Sequence, residues 1–308
     1  MENRDLVIIG GGPAGLTAGM YAARARIDTV LYEMLSPGGQ MLATDWVENW
    51  PGAVDGLSGF DLSDHMRDHA LKFGLTIENR EVTGLRNGAD CKLVATPKGE
   101  IRAKAVILSL GAHPRKLGIP GESHFTGRGV SYCGTCDAPF YRDKTVICFG
   151  GGDTAAEEAV FLTRFASKVY LAHRRDQLRA TAILAERVLT NEKIEFLPSH
   201  VPLAIEGKDG VEAVRLRDIK KDRELELPVD GAFVFVGTVP NTDFLRGILD
   251  MDEMGFITTD RDQGTTLPGV FAAGDCCSKL LRQIVVAAGE GAVAAYAAQK
   301  YLEEQADK

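Results

Sequence analysis

The segment DLVIIGGGPAGLTAGMYAARA (residues 5–25) is an apolar run that ends in a glycine cluster and passes into a small-residue helical pattern. That order dictates strand, tight turn, helix. Gly10, Gly12 and Gly15 fill the glycine positions of a G-x-G-x-x-G pattern, with Pro13 and Ala14 between the last two. The first glycine permits the turn, the second lets backbone approach a pyrophosphate, and the third lets helix and strand pack closely. The pyrophosphate then faces the positive end of the helix. The next strand, DTVLYE, ends in Glu33, about 20 residues on, where an acid accepts hydrogen bonds from a ribose 2′-hydroxyl and repels a 2′-phosphate. The pattern alone is weak and fits a glycine-rich turn without a ligand; with Glu33 it describes a site for FAD or NAD rather than NADP.

The same arrangement recurs at KTVICFGGGDTAAEEAVFLTRFA (residues 144–166). Gly150 and Gly152 take the first two positions, Asp153 and Thr154 follow, and Ala155 is the small residue in the third. Two copies imply two dinucleotide sites. The strand KVYLA after the second copy leads into HRRDQLRA, which offers His173, Arg174, Arg175 and Arg179 in place of an acid. Guanidinium groups match a 2′-phosphate in charge and bidentate geometry, so this site is expected to prefer NADPH; a solvated basic surface loop is the alternative. A third signal, LPGVFAAGDC, is a strand ending in Gly274-Asp275 before a long Ala-rich helical pattern, where the acid could be only a helix cap. The first and third signals flank the second. The expected fold is therefore α/β, one discontinuous domain over 1–114 and 240–308 interrupted by another over 115–239, with hinges near 111–122 and 236–243 marked by Gly and Pro.

At 308 residues and 45% hydrophobic content the chain can supply two cores. No stretch approaches the roughly 20 consecutive apolar residues of a membrane helix. MENRDLVIIGGG carries charges before its apolar run and no small-residue cleavage site, so a cytoplasmic protein is expected. A net charge of −8 disfavours nucleic acid and anionic membrane, leaving small molecules or proteins as partners.

SYCGTCDAP sets Cys133 and Cys136 two residues apart, with Asp137 immediately after. A structural zinc site wants four ligands, and Cys91, Cys148, Cys276 and Cys277 do not repeat the two-residue gap. A cytosolic pair is more often catalytic than a structural staple. A redox pair is the favoured reading, with no metal.

Taken together, GGGPAGLTA, GGQ with VENWPG downstream, YCGTCDAPFYR, GGGDTAAEEA, HRRDQLRA, and GVFAAGD followed by RQ resemble the low-molecular-weight thioredoxin reductase family of flavoproteins, from the first strand to the last helix. The resemblance implies two Rossmann-like, three-layer ββα domains, with the NADPH domain and its redox disulfide inserted into the FAD domain. It implies that FAD is contacted by the first glycine turn, Glu33, Gly39, Gln40, Asn49, Val82 and Gly111. Gly274, Asp275, Arg282, Gln283 and Ile284 would complete that site. The larger disulfide reductases of related type place their cysteines after the first βαβ unit and draw a catalytic histidine from a C-terminal domain. Here YEMLSPGGQMLATDWVENW has no cysteine, and Asp137 is the expected acid, its pKa raised by burial near the flavin.

The implied route is hydride from NADPH to flavin, flavin to the Cys133–Cys136 disulfide with Cys136 proximal, and Cys133 to a thioredoxin-like partner. The family is homodimeric and rotates the inserted domain to present nicotinamide and disulfide in turn. Gly134 stands where alanine is usual, and Pro139 where a docking aromatic is frequent. Cys276-Cys277 reads as core packing, with a second redox pair as the sharper alternative. The other functions open to this scaffold are reductase of another protein partner (ferredoxin, flavodoxin or a peroxiredoxin) and a non-catalytic flavin redox sensor. Retention of CGTC argues against the ferredoxin or flavodoxin reading.

Overall fold

The computed structural model describes residues 2–44 and 46–306; Met1, Asp45, Asp307 and Lys308, which fall in the span expected for the flavin domain, lie outside the described residues. The first apolar run forms β1 (Glu2–Ile9), and the small-residue segment forms α1 (Pro13–Arg24), entered through a proline that needs no intrahelical N–H bond there. β2 (Thr29–Glu33) pairs parallel with β1, Leu6 opposite Thr29 through Ile9 opposite Tyr32. α2 (Gly59–Lys72) follows, its first turn capped by the Ser58 hydroxyl, which accepts the Asp61 N–H at 3.0 Å. Four strands come next: β3 (Thr76–Asn79), β4 (Gly84–Asn87), β5 (Lys92–Thr96) and β6 (Gly99–Leu108). They join one sheet in the order β3-β2-β1-β6-β5-β4.

After β7 (Ala112–Pro114) the chain builds a second unit: β8 (Val130–Ser131), α3 (Gly134–Asp137), β9 (Thr145–Phe149), α4 (Asp153–Leu162), β10 (Lys168–His173), α5 (Ala182–Leu189) and β11 (Ile194–Pro198). An antiparallel sheet of β12 (His200–Gly207), β13 (Val211–Asp218) and β14 (Arg223–Pro228) follows, and β15 (Gly231–Val234) returns to the parallel sheet, ordered β11-β10-β9-β15-β8. Along β9, Val146 and Cys148 pack with Ala155, Ala159 and Leu162 of α4, while Ile147 and Phe149 pack with Val214 and Leu216 of β13. A strand covered on both faces must be apolar throughout, which is why TVICF shows no alternation.

β16 (Thr238–Pro240) pairs with β7 where the chain crosses back. β17 (Val270–Ala272) then lies parallel to the C-terminal end of β6, and α6 (Ile284–Ala306) packs on α1. A Cβ at Gly291 would stand 2.1 Å from the Ala14 carbonyl oxygen, so the two helices meet backbone to backbone. The compact units are Met1–His113 with Val239–Lys308, and Pro114–Thr238. Each repeats one plan: central strand, glycine turn, helix, two strands outward, and a return strand on the other side. Ligands bind such sheets beyond the strand carboxyl ends where the order reverses, between β1 and β6 and between β9 and β15.

Candidate dinucleotide and redox sites

In the first unit Gly10 leaves β1 at φ +101°, and a Cβ there would lie 2.3 Å from the Ser109 carbonyl oxygen. At Gly15 a Cβ would lie 1.9 Å from the Gly10 carbonyl oxygen; helix and turn touch without room for a methyl group. At Gly12, the N-cap of α1, nothing stands within 4 Å of that point, and no side chain caps the helix. The combination leaves an open face at the positive end of α1, the chemistry a pyrophosphate needs. Glu33 reaches back from the end of β2: Oε2 accepts the Gly11 N–H at 2.7 Å and Oε1 the Leu35 N–H at 2.9 Å. Each oxygen retains accepting capacity for a ribose hydroxyl.

Around this turn, a Cβ at Gly39 would lie 3.3 Å from Gly12 Cα, and one at Gly274 would lie 3.0 Å from Ala14 Cβ. Gln40 is exposed beside Gly39. Asn49 Nδ2 donates to Gln283 Oε1 at 2.9 Å, and Ile284, the first residue of α6, packs with Met41, Val47 and Leu62. The Gly274 N–H donates to Glu290 Oε2 at 2.8 Å, and Lys279 forms an ion pair with the same carboxylate. Burial pushes the Asp275 carboxyl up, opposed by Lys279 and Arg282. Arg282 lies over the Phe256 ring at 4.1 Å, and its Nε is buried with no partner among the described residues. Val82 packs on the cluster around Val7 and Leu108, and Gly111 follows β6 at φ +65°. The donor set fits a flavin dinucleotide.

The second turn has the same plan. A Cβ at Gly150 would lie 2.5 Å from Ala155 Cβ, Ala155 is buried, and Gly152, the uncapped N-cap of α4, faces open space. Asp153 Oδ1 accepts the Thr181 N–H at 2.6 Å, and the Arg179 N–H donates to the Gly151 carbonyl at 2.6 Å, tying the basic segment to the turn. Thr154, Arg174, Arg175 and Arg179 are exposed. His173, grouped with the arginines in the sequence, lies elsewhere: it is 6% exposed beneath the turn, 2.3 Å from where a Gly151 Cβ would be. Burial, then Arg179, Arg175 and Arg174, lower its pKa, and its Nε2 has no partner among the described residues.

Cys133 and Cys136 are bonded to each other across α3, with Cα atoms 5.3 Å apart. Cys133 is the N-cap; its Sγ accepts the Cys136 N–H at 3.1 Å. Ser131 Oγ accepts the Cys133 N–H at 3.1 Å, and the Asp137 N–H donates to the Cys133 carbonyl at 3.2 Å. Both cysteines and Asp137 are half-buried. Pro139 is the second residue of a short 3₁₀ turn (Ala138–Tyr141) that leaves Phe140 exposed. Cys276 and Cys277 are buried free thiols in the core beneath β6, with Sγ atoms 4.0 Å apart and Cys276 Sγ 3.6 Å from the Leu108 carbonyl. Among the described residues no group of three or more His, Cys, Asp or Glu is placed to hold a metal, and no described helix is long and apolar enough to cross a membrane.

Reading the sequence missed two acids. Glu290 holds the Gly274 backbone, and Glu158 lies against Gly134 in the redox turn. Glu158 had a signal: it follows Ala155 by three and precedes Leu162 by four, an acid on a buried helical stripe.

The pattern of the pyridine nucleotide-disulphide oxidoreductases matches residues 4–291. A thioredoxin reductase of Listeria innocua serovar 6a is 45% identical over 302 residues, covering 97% of this chain and 94% of that protein. One of Mycolicibacterium smegmatis is 44% identical over 302 residues, covering 98% and 97%. The crystal structure of thioredoxin reductase from Streptococcus pyogenes superposes with a TM-score of 0.94 at 42% identity, covering 98% of this chain and 99% of that one.

Proposed function

The chain belongs to the pyridine nucleotide-disulphide oxidoreductase family, and from that premise we propose that it is an NADPH-dependent, FAD-containing enzyme that reduces the disulfide of thioredoxin or a thioredoxin-like protein, as a cytoplasmic homodimer. The observation that carries this reading is the bonded Cys133–Cys136 pair in the unit that also holds the second glycine turn. FAD, when bound, supplies the exchange between hydride and dithiol chemistry.

In the first unit the α1 N-terminus at Gly12 takes the FAD pyrophosphate and Glu33 the ribose, with Asn49, Asp275, Arg282 and Gln283 among the remaining contacts. In the second, the α4 N-terminus takes the pyrophosphate of NADPH and Arg174, Arg175 and Arg179 its 2′-phosphate, while His173 supports the turn from below. The reduced Cys133 sulfur is the nucleophile. The Cys136 N–H that donates to it at 3.1 Å would stabilise its thiolate. Cys133 attacks one sulfur of the partner disulfide, a mixed disulfide forms, and the other partner sulfur leaves and takes a proton. Cys136 then attacks Cys133 Sγ, which re-forms the Cys133–Cys136 bond and releases the second partner sulfur, which takes a proton from water; the enzyme has lost two electrons and the partner has gained two. Asp137 holds the proton that Cys136 gives up.

The test is turnover of the purified, FAD-loaded protein with NADPH or NADH and with oxidised thioredoxin or ferredoxin. One NADPH consumed per two thioredoxin thiols, with NADH poor and ferredoxin inert, is the expected result. Turnover with ferredoxin alone would overturn the reading, and flavin bleaching by NADPH without turnover of either protein would point to a sensor.

A further inference from the structure

The redox turn rests on a carboxyl group that the chemistry above does not use. A Cβ built at Gly134 would lie 1.9 Å from Glu158 Oε2 and 3.0 Å from its Cδ, so the carboxyl of α4 fills the space an alanine methyl would occupy. Phe235 closes the same spot, its Cζ 3.5 Å from that point. Oε2 is buried and has no hydrogen-bond partner among the described residues.

The elements packed against α4 carry several titratable groups. Glu157 neighbours Glu158 on α4; α3 brings Asp137 and the cysteine pair; β9 brings Cys148, whose buried thiol is pushed up by burial and then by the Glu158 charge. α5 carries Glu186 and Arg187, both exposed; on β10 Val169 and Leu171 pack toward α4 while Tyr170, and Lys168 in alternation with it, lie on the opposite face, and His173 ends the strand. Burial first, and repulsion from Glu157 second, raise the Glu158 pKa above the ordinary carboxylate value.

Gly134 is bonded to Cys133, so the carboxyl sits beside the group that gains charge on reduction. Two electrons break the S–S bond; at neutral pH one proton goes to one sulfur and the other sulfur is left a thiolate. A new negative charge nearby increases the proton affinity of a buried carboxyl. On the reading that Cys133–Cys136 is a working redox pair, we propose that Glu158 is a positioning residue that takes up a proton when the pair is reduced and releases it when the pair is oxidised. The reduced turn then holds two electrons and two protons, one on sulfur and one on Glu158, while the other sulfur stays ionised and nucleophilic. Gly134 makes the room.

The experiment is the midpoint potential of the pair in the intact FAD-loaded protein, equilibrated in dithiothreitol redox buffers from about pH 5 to about pH 8, a span beginning just above the ordinary Glu value. The two cysteines are read by acid quench, alkylation and mass spectrometry. Each coupled proton steepens a two-electron potential by about 29.6 mV per pH unit. Wild type should show a two-proton segment. Glu158→Gln, isosteric and unable to titrate, should lose about 29.6 mV per pH unit of slope there. Gly134→Ala, whose methyl displaces the carboxyl, should lose the same slope with the glutamate retained, and carries the comparison if Glu158→Gln does not fold. Superimposable slopes in wild type and variants would overturn the proposal and leave the reductase reading standing. A pair that the buffer never reduces would overturn both.

Discussion

Glu33 Oε2 accepts the Gly11 N–H at 2.7 Å, which fastens the end of β2 to the middle of the first glycine turn. The acid is thereby fixed before any ligand arrives, and its charge stands beside the open face at Gly12. Glu33→Ala should therefore weaken FAD retention by the loss of a charge-assisted hydrogen bond, about 1.5–3 kcal/mol, or roughly a 10- to 150-fold rise in Kd. Flavin absorbance in protein and filtrate after ultrafiltration measures it; equal retention would remove Glu33 from the ribose site.

Arg174, Arg175 and Arg179 are exposed on the segment that Asp153 and Gly151 tie to the second turn. Arg174→Ala with Arg175→Ala should raise the NADPH KM by the equivalent of several charged contacts, about 1.5–3 kcal/mol each, and leave the NADH KM nearly unchanged. The ratio of kcat/KM for the two nucleotides is the readout, and an unaltered ratio would refute the 2′-phosphate assignment.

Two glycines one turn apart should respond oppositely. Gly15→Ala places a methyl 1.9 Å from the Gly10 carbonyl oxygen and should cost about 1–3 kcal/mol of stability. Gly12→Ala meets nothing within 4 Å at an ordinary φ of −74°, so the flavin-free protein should keep its Tm while FAD binding falls. Thermal melts of the flavin-free variants, paired with FAD titrations, separate the two effects.

His173 gives stability a pH dependence. Burial, then Arg179, Arg175 and Arg174, depress its folded-state pKa below the ordinary value of about 6.5, so the unfolded chain binds a proton that the folded chain refuses. The contribution of neutral His173 is complete above that value and is lost as pH falls toward the depressed one. Urea midpoints from about pH 5 to about pH 8 should decline more steeply on acidification in wild type than in His173→Gln; parallel curves would contradict it.

Much of this was legible in the sequence because it rests on spacing. The glycine turns, the acid ending β2 and the uninterrupted apolar strand β9 follow from period and steric need at Gly10 and Gly15. What could not be read depends on what a helix face meets. His173 and Arg174 are adjacent, yet one side chain falls inside the sheet end and the other outside, a distinction the basic cluster conceals. Gly134 reads only as a glycine where alanine is usual, whereas Glu158, 24 positions later, occupies its missing methyl. Cys276 and Cys277 read as core packing by sequence, with a second redox pair as the alternative; their burial beneath β6, unbonded at 4.0 Å, is a tertiary fact.

NADPH-driven formation of thioredoxin thiols by wild type and by Cys136→Ser, each with FAD bound, tests the cysteine relay most directly. Cys136→Ser should keep its flavin and let NADPH bleach it, because the pair acts after the hydride step, while thiol formation falls to background. Thioredoxin reduction by Cys136→Ser at near the wild-type rate would contradict the relay and turn attention to Cys276 and Cys277.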